Sequence, residues 1–455
     1  MPRTAHRSLW ACAGLGLAGS VLVALAGPRL AGGPVKWWFE GGGGVAGLYA
    51  GVAALLVAWL GLGRLAPAPR ALWAIAAAWS LPLLLSAPLF SRDAYIYLGQ
   101  SAILHAGLDP YRHAPAVLAT VGQGRVLSAV DPFWRHTISP YGPLFVWIVS
   151  AFTGASLIAG VLLIRALELV GLVLLAVFVP RLARSLGADP GRATWLTLLS
   201  PLTLLQMVAG AHNDLLMIGL VLAGVSLAIE RRVLVGIALC ALAATIKLPA
   251  AVAIPFILVA YADRGTAARG VLVAIGVLLA VSLLSGLGLH WLSPSVFSTP
   301  GKVRLAITPA TALGWTVAQV VPVGASGLES ALRVVALAGA VLFGLALLWR
   351  TRPGNMVRYL AFALLAAALC GPAAWPWYLT WGLVLLAACP VLQSSPALIA
   401  VSILGALVIK ADGVLAFPLH TAPLFVALYA AAAVAWWRRP AITTARVRPR
   451  PVAES

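Results

Sequence analysis

The sequence predicts an all-α polytopic membrane protein, and three observations carry that prediction. Of its 455 residues, 62% are apolar and only 9% are charged, with a mean hydropathy of +0.99. A soluble protein carries about 25% charge. Apolar runs of about twenty residues, the length that crosses a ~30 Å hydrocarbon core, follow one another along the chain. The 31 Lys and Arg against 12 Asp and Glu give a net charge of +19. That excess gathers in alternate connections, as the positive-inside rule requires, so it points to membrane topology and not to a nucleic-acid partner.

In chain order the candidate spans are 9–27, 44–62, 71–90, 155–180, 193–210, 214–230, 233–247, 248–262, 269–288, 328–350, 356–372, 377–390, 395–411 and 421–438. The pair around Lys247 is short, which sets the count at about twelve to fourteen. The start, MPRTAHRSLWACAGLGLAGSVLVALAG, has a basic head and about nineteen apolar residues, so a retained first helix is expected and not a cleaved signal peptide. The apolar pieces 141–153 and 308–321 break the alternation and read as re-entrant or interfacial segments on the outer face. With the N-terminus inside, inner segments hold nineteen cations and outer segments ten, with Arg165 and Arg333 inside spans. Both termini are then cytoplasmic, in a bacterial inner membrane. Residues 1–438 read as one integral membrane domain, and 439–455 as a basic, Pro-containing disordered tail. Cys12, Cys240, Cys370 and Cys389 form no CxxC pair, so neither a disulfide nor a cysteine metal site is expected.

The connection 91–143 is the longest hydrophilic segment, about fifty residues, and ordered loops of that length are usually functional. It holds Asp93, Asp109 and Asp131, a quarter of all acids. It also holds Arg92, Arg112, Arg125 and Arg135 on the face where cations are disfavoured, and anion binding is one reason to keep them there. Residues 94–106 read as a short amphipathic helix with Gly107 at its C-cap and a turn enforced by Asp109-Pro110. Asp93, Tyr97 and Gln100 share one face; Leu98, Ala102 and Ala106 share the other and suit lying on the bundle. Asp93 reads either as an N-cap or as a carboxylate at the mouth of a cavity, and both can hold. Asp109 and Asp131 precede Pro and suit Asx-type turns. The run DPFWRHTISPYGPLF places Trp134, His136 and Tyr141 near Arg135, as interface anchors or as a surface for a sugar and a phosphate.

Three further motifs fall on the same face. GAHNDLL (210–216) offers His212, with Asn213 or Asp214 as an N-cap. ATIKLP (244–249) puts Lys247 at a hairpin tip, either snorkelling or reaching a lipid-borne phosphate. GPAAWPWYLTW (371–381) is either an interfacial aromatic belt or a carbohydrate-stacking platform. Glu168 and Arg165, three apart, read as a self-paired couple within a span. No Walker, HExxH, GxSxG or DxD pattern occurs, which argues against a cytosolic nucleotide-dependent enzyme.

The order of SRDAYIYLGQ, GLDPY, DPFWRHTISPYGPLF, GAHNDLLM, ATIKLP and WPWYLTW resembles the actinobacterial polyprenyl-phosphate-mannose-dependent α-(1→6)-mannopyranosyltransferases. These belong to the GT-C superfamily of membrane glycosyltransferases, and the resemblance runs over about residues 70–430. It implies a GT-C-type bundle whose long extracytoplasmic first loop carries an acidic catalytic residue, with Asp93 mapping to the general base. It also implies a polyprenyl-phosphate-linked donor in the membrane lipid and a glycan or glycolipid acceptor. Substrate contacts are expected from Arg92, Tyr97, Asp109, Tyr111, Arg112, Asp131, Arg135, His136, Tyr141, His212, Asn213, Asp214, Lys247, Trp375, Trp377 and Tyr378. No metal ligand is assigned; some GT-C relatives use a divalent metal or two acids, and this chain lacks a contiguous acidic pair. The competing functions are a transporter or flippase of lipid-linked glycans and a ligase or polymerase that passes preassembled glycans.

Overall fold

The computed structural model describes residues 3–38, 41–321 and 324–437, so the expected tail 439–455 lies outside the described residues. Among the described residues the chain is helical with no strand; an isolated bridge joins Ile409 and Leu415. Helices α1 (Arg3–Ala31) and α2 (Gly44–Leu65) form the first hairpin. Then come α3 (Pro69–Leu85), α4 (Asp93–His105), α5 (Gly124–Ala129), α6 (Pro143–Ser150) and α7 (Leu157–Ser185). α8 (Pro190–Thr197) leads into a π-helical segment, Leu202–Ala209, that turns through 117° into α9 (Asp214–Ile229). α10 (Val233–Ala244), α11 (Ala253–Tyr261), α12 (Arg264–Leu284), α13 (Pro294–Ser298) and α14 (Pro309–Ala318) follow. The chain closes with α15 (Ala325–Trp349), α16 (Met356–Cys370), α17 (Thr380–Ala387), α18 (Pro396–Leu407) and α19 (Ala422–Trp437).

Five helices among the described residues are long and apolar enough to cross a bilayer, six if the bent pair counts as one. Others are shorter than the expected spans. The span expected at 71–90 ends at Leu85, because Pro88 bars the residue before it from helical geometry. α10 rises about 18 Å at 1.5 Å per residue, well under the hydrocarbon thickness. The pieces 141–153 and 308–321 are the short helices α6 and α14, packed against α4 and α15 respectively.

Lipid offers no hydrophobic drive between helices, so close backbone packing must hold them. A Cβ at Gly171 of α7 would lie 2.3 Å from the Leu215 carbonyl oxygen, and one at Gly219 of α9 would lie 2.9 Å from that of Gly171. α15 is the opposite case: among its described side chains only Glu329 is buried, and Val334, Val341 and Leu342 stand exposed as a lipid-facing strip.

The couple expected between Arg165 and Glu168 does not form. Arg165 is buried and donates to the carbonyls of Leu84, Ser86, Ala87 and Ala209, while Glu168 accepts from the Leu216 amide at 3.2 Å. The frayed end of α3 and the end of the π-helical segment expose carbonyls that need donors, and a five-donor guanidinium meets several at once. Three more contacts bring chain ends together beside it. The Leu89 amide bonds the Ala209 carbonyl at 3.1 Å, the Phe90 amide that of Ala411 at 2.9 Å, and the Gly142 amide that of Ile246 at 2.9 Å. A Cβ at Gly142 would lie 2.2 Å from the Thr245 oxygen, so only glycine allows that approach. Phe90 and Ala211 are held at positive φ, 62° and 55°, a strain of about 1–3 kcal/mol each that clusters at functional sites.

Candidate active site at the convergence of the loops

These ends enclose a cavity of about 1070 Å³. Asp93, Tyr141, Lys247, Trp377, Tyr378 and Trp381 line its polar side; Leu248, Val252, Leu337 and Ala367 line an apolar side beside α15 and α16.

α4 starts at Asp93, whose own amide bonds the Ser91 hydroxyl at 3.0 Å. Arg92 occupies the cap position, so the Asp93 side chain is not an N-cap and is free to face the cavity. It is 22% exposed, and its nearest charged partner is His212 Nδ1 at 3.5 Å from Oδ2. That distance is long for a hydrogen bond, and both buried ring nitrogens of His212 lack a full hydrogen-bond partner. Burial pushes the Asp93 carboxyl up, but the contact and charge of His212, then Lys247 and Ser91, outweigh it and hold the group below its ordinary value. The helix is not amphipathic in its surroundings, since every side chain from Ala94 to Ile103 is buried. It ends in a Schellman motif: Gly107 has φ 76°, its amide bonds Leu104, and that of Leu108 bonds Ile103.

Lys247 is not a free ammonium at a hairpin tip. It is buried and donates to both oxygens of Asp214, at 2.9 and 2.8 Å, while the Trp381 indole donates to the same carboxylate at 2.6 Å. Asp214 is fully buried, and like Asp93 it is the first residue of its helix. Lys247 also lies 4.3 Å from the centre of the Tyr378 ring, a cation–π contact. The aromatic motif folds inward in two stacks: Trp375 on Trp377 on His212, at 4.6 and 3.8 Å, and Tyr378 on Trp381 at 4.5 Å.

The remaining expected contacts divide by position. Tyr97 meets Tyr141 edge-on at 4.8 Å, and its hydroxyl lies 3.5 Å from the Asn213 amide. The side-chain oxygen and nitrogen of buried Asn213 have no hydrogen-bond partner among the described residues. Tyr111 donates to the Tyr141 carbonyl at 2.8 Å and so braces the wall from behind. Asp109 and Asp131 make the expected Asx turns, accepting from the Tyr111 and Phe133 amides at 2.8 and 3.0 Å. Asp131 also pairs with Arg92 at 3.3 Å, and Arg92 donates to the carbonyls of Ala31 and Gly32. Arg92 and Asp131 line the cavity but are spent on each other and on the end of α1. Asp109, Arg112, Arg135 and His136 do not line it. Arg112 joins Asp109 and His290 in a cluster that ties this loop to the one after α12. Arg135 donates to the carbonyls of Val130 and Ser128, and His136 is exposed.

Trp381 and Arg304 are among the lining residues that escaped the sequence reading. Trp381 was inside a quoted motif, yet nothing local marks an indole that reaches Asp214. Arg304 is a cavity cation in the outer connection that precedes the interfacial piece 308–321, and no motif singled it out. Its signal was the same misplaced positive charge that marked residues 92–135. Among the described residues no three His, Cys, Asp or Glu side chains gather as metal ligands.

Residues 9–263 match the family described as alpha-(1->6)-mannopyranosyltransferase, N-terminal domain, and residues 307–438 match the MptB C-terminal domain. The chain is 34% identical to alpha-(1->6)-mannopyranosyltransferase A of Mycobacterium tuberculosis, over 88% of this chain and 84% of the relative. It is 33% identical to a probable alpha-(1->6)-mannopyranosyltransferase of Mycolicibacterium smegmatis, over 74% and 69% of the two chains. It is also 36% identical to alpha-(1->6)-mannopyranosyltransferase A of Corynebacterium glutamicum, over 46% and 45%. No solved structure matches the chain. With a partly buried carboxylate facing a large cavity in an all-helical membrane bundle, and matches over most of its length, this chain belongs to the α-(1→6)-mannopyranosyltransferase family of glycosyltransferases.

Proposed function

We propose that the protein transfers a mannosyl unit from a polyprenyl-phosphate-linked donor to a glycan or glycolipid acceptor on the outer face of a bacterial plasma membrane. Asp93 is the general base. The acceptor hydroxyl gives its proton to the Asp93 carboxylate as its oxygen bonds to the anomeric carbon. The bond from that carbon to the phosphate oxygen breaks, and its electron pair leaves with the polyprenyl phosphate. One displacement inverts the anomeric centre, so a β-linked donor yields an α-linked product.

The observation that carries this reading is Asp93 itself, a partly buried carboxylate on a large cavity whose one close charged neighbour among the described residues is a loosely held histidine. A general base needs a vacant lone pair within reach of the proton it takes. The stacked aromatic rings suit the apolar faces of a sugar. The apolar side, with Leu337 of lipid-exposed α15, suits entry of a prenyl chain from the bilayer.

Purified protein with polyprenyl-phosphate-mannose and a short mannoside, with and without EDTA, tests the reading. The expected product is the acceptor plus one α-(1→6)-linked mannose. Movement of labelled lipid between leaflets without any glycan formed would favour a flippase and reverse the conclusion. Labelling of cysteines placed in 91–143 from outside intact cells tests the side, and labelling only after lysis would overturn it.

A further inference from the structure

We propose that Arg304 is the group that receives the phosphate of the lipid donor, resting on the lipid-phosphate donor proposed above. Elimination among the cavity cations comes first. Arg92 is engaged by Asp131 and two carbonyls. The Lys247 ammonium is neutralised by Asp214 in a bidentate contact. The third lining cation is Arg304, with its side chain 44% exposed. Its single charged contact among the described residues is a 3.4 Å approach of Nε to Glu329, and no hydrogen bond there occupies its terminal nitrogens.

The surroundings of Arg304 form a built support. Glu329 is buried and is already satisfied by Arg333 at 2.6 Å, Thr311 at 2.9 Å and the Trp315 indole at 3.1 Å. Arg333 also donates to the carbonyls of Gly301 and Val303, both at 2.7 Å, which pins the backbone leading into Arg304. Val303 and Leu305 on either side are buried in a small apolar cluster with Ala373 and Phe425. Two guanidiniums against one carboxylate leave one positive charge, and the structure directs it at the cavity. A guanidinium matches phosphate oxygens in two-point contact.

The position also suits the chemistry. Arg304 lies on the wall shared with Leu337 of α15, where a prenyl chain would enter from lipid. When the glycosidic bond breaks, the phosphate goes from a diester with one negative charge to a monoester with two at full ionisation. A preorganised donor at that point favours the transition state over the bound donor.

The test uses full-length protein in detergent and the probe farnesyl phosphate, a short polyprenyl phosphate, with farnesol and inorganic phosphate as competitors. Arg304→Gln should weaken farnesyl phosphate binding by about tenfold or more and lower kcat by about 10²–10³, the range for losing one charge-stabilising donor. Arg304→Lys should recover part of both, and melting temperatures should stay near wild type. Asp93→Asn should lose transfer but keep farnesyl phosphate binding. Wild-type affinity for farnesyl phosphate in Arg304→Gln overturns the assignment and leaves the donor reading intact. A wild-type protein that neither binds farnesyl phosphate nor transfers mannose overturns both. Competition by inorganic phosphate as strong as by farnesyl phosphate replaces the lipid headgroup with a free-phosphate site and also overturns the proposal.

Discussion

Asp93 and Asp214 each open a helix at the same end of the bundle, and their surroundings part them. Asp214 has no exposed surface and accepts from Lys247 twice and from Trp381 once. Asp93 keeps 22% of its side chain exposed and has a histidine at 3.5 Å. A carboxylate offers about four lone-pair sites. Asp214 has committed most of them to ionised or indole donors, so taking up a proton would break a buried ion pair. Asp93 has uncommitted acceptor capacity facing the cavity. Equal chemistry at equal helix positions thus gives a structural anchor in one case and a candidate base in the other, and the difference lies in saturation by neighbours.

The largest effect that separates them is on turnover. Asp93→Asn should leave the fold intact and cut mannosyl transfer by about 10²–10⁴, the usual contribution of a positioned base; a radiolabelled-mannose assay on a variant with a native melting profile reads it. Near-wild-type transfer would erase the contrast. Lys247→Met should act on stability, because it strands Asp214 as a buried unpaired charge at a cost of about 3–5 kcal/mol. Denaturation of the reconstituted protein measures this, and the double variant Lys247→Met with Asp214→Leu should regain much of it. A single variant as stable as wild type would mean that Asp214 is not anchored by that pair.

His212→Gln should sharpen the contrast through pH. The native Asp93 carboxyl is held low by His212 against its burial, so removing the histidine raises it. The base then protonates at higher pH, and the acidic limb of the kcat/KM profile moves upward. An unmoved limb would detach His212 from Asp93. The smallest change is expected at Arg181, which pairs with Glu230 well away from the cavity, with side chains 41% and 27% exposed. Arg181→Ala should lose only about 0–1 kcal/mol, as exposed pairs do. A loss rivalling that of Lys247→Met would refute burial as the distinction between the two ion pairs.

The site was partly legible because several of its members carry local marks. Asp93, Lys247 and the aromatic run stood out as charged or aromatic residues where apolar spans end, and the fold brings them together with His212. The same rule overreached at Arg112, Arg135 and His136, whose side chains point to carbonyls, to a neighbouring loop or to solvent. It also misjudged Arg165 and Glu168, where spacing on one helix predicted a pair and the carbonyls of other elements won.

The sequence by itself determined the all-helical membrane class, the prolines that start helices α3, α6, α8, α14 and α18, and the turns at Gly107, Asp109 and Asp131. Those features arise from hydropathy, fixed proline geometry and hydrogen bonds spanning two or three residues, all of which are local. Only the tertiary structure decided that Lys247 meets Asp214 across 33 residues, that Trp381 reaches the same carboxylate across 167, and that Asp93 is left with room to react. In a medium without water each buried charge must find whichever partner packing delivers, and that delivery depends on how helices distant in sequence converge.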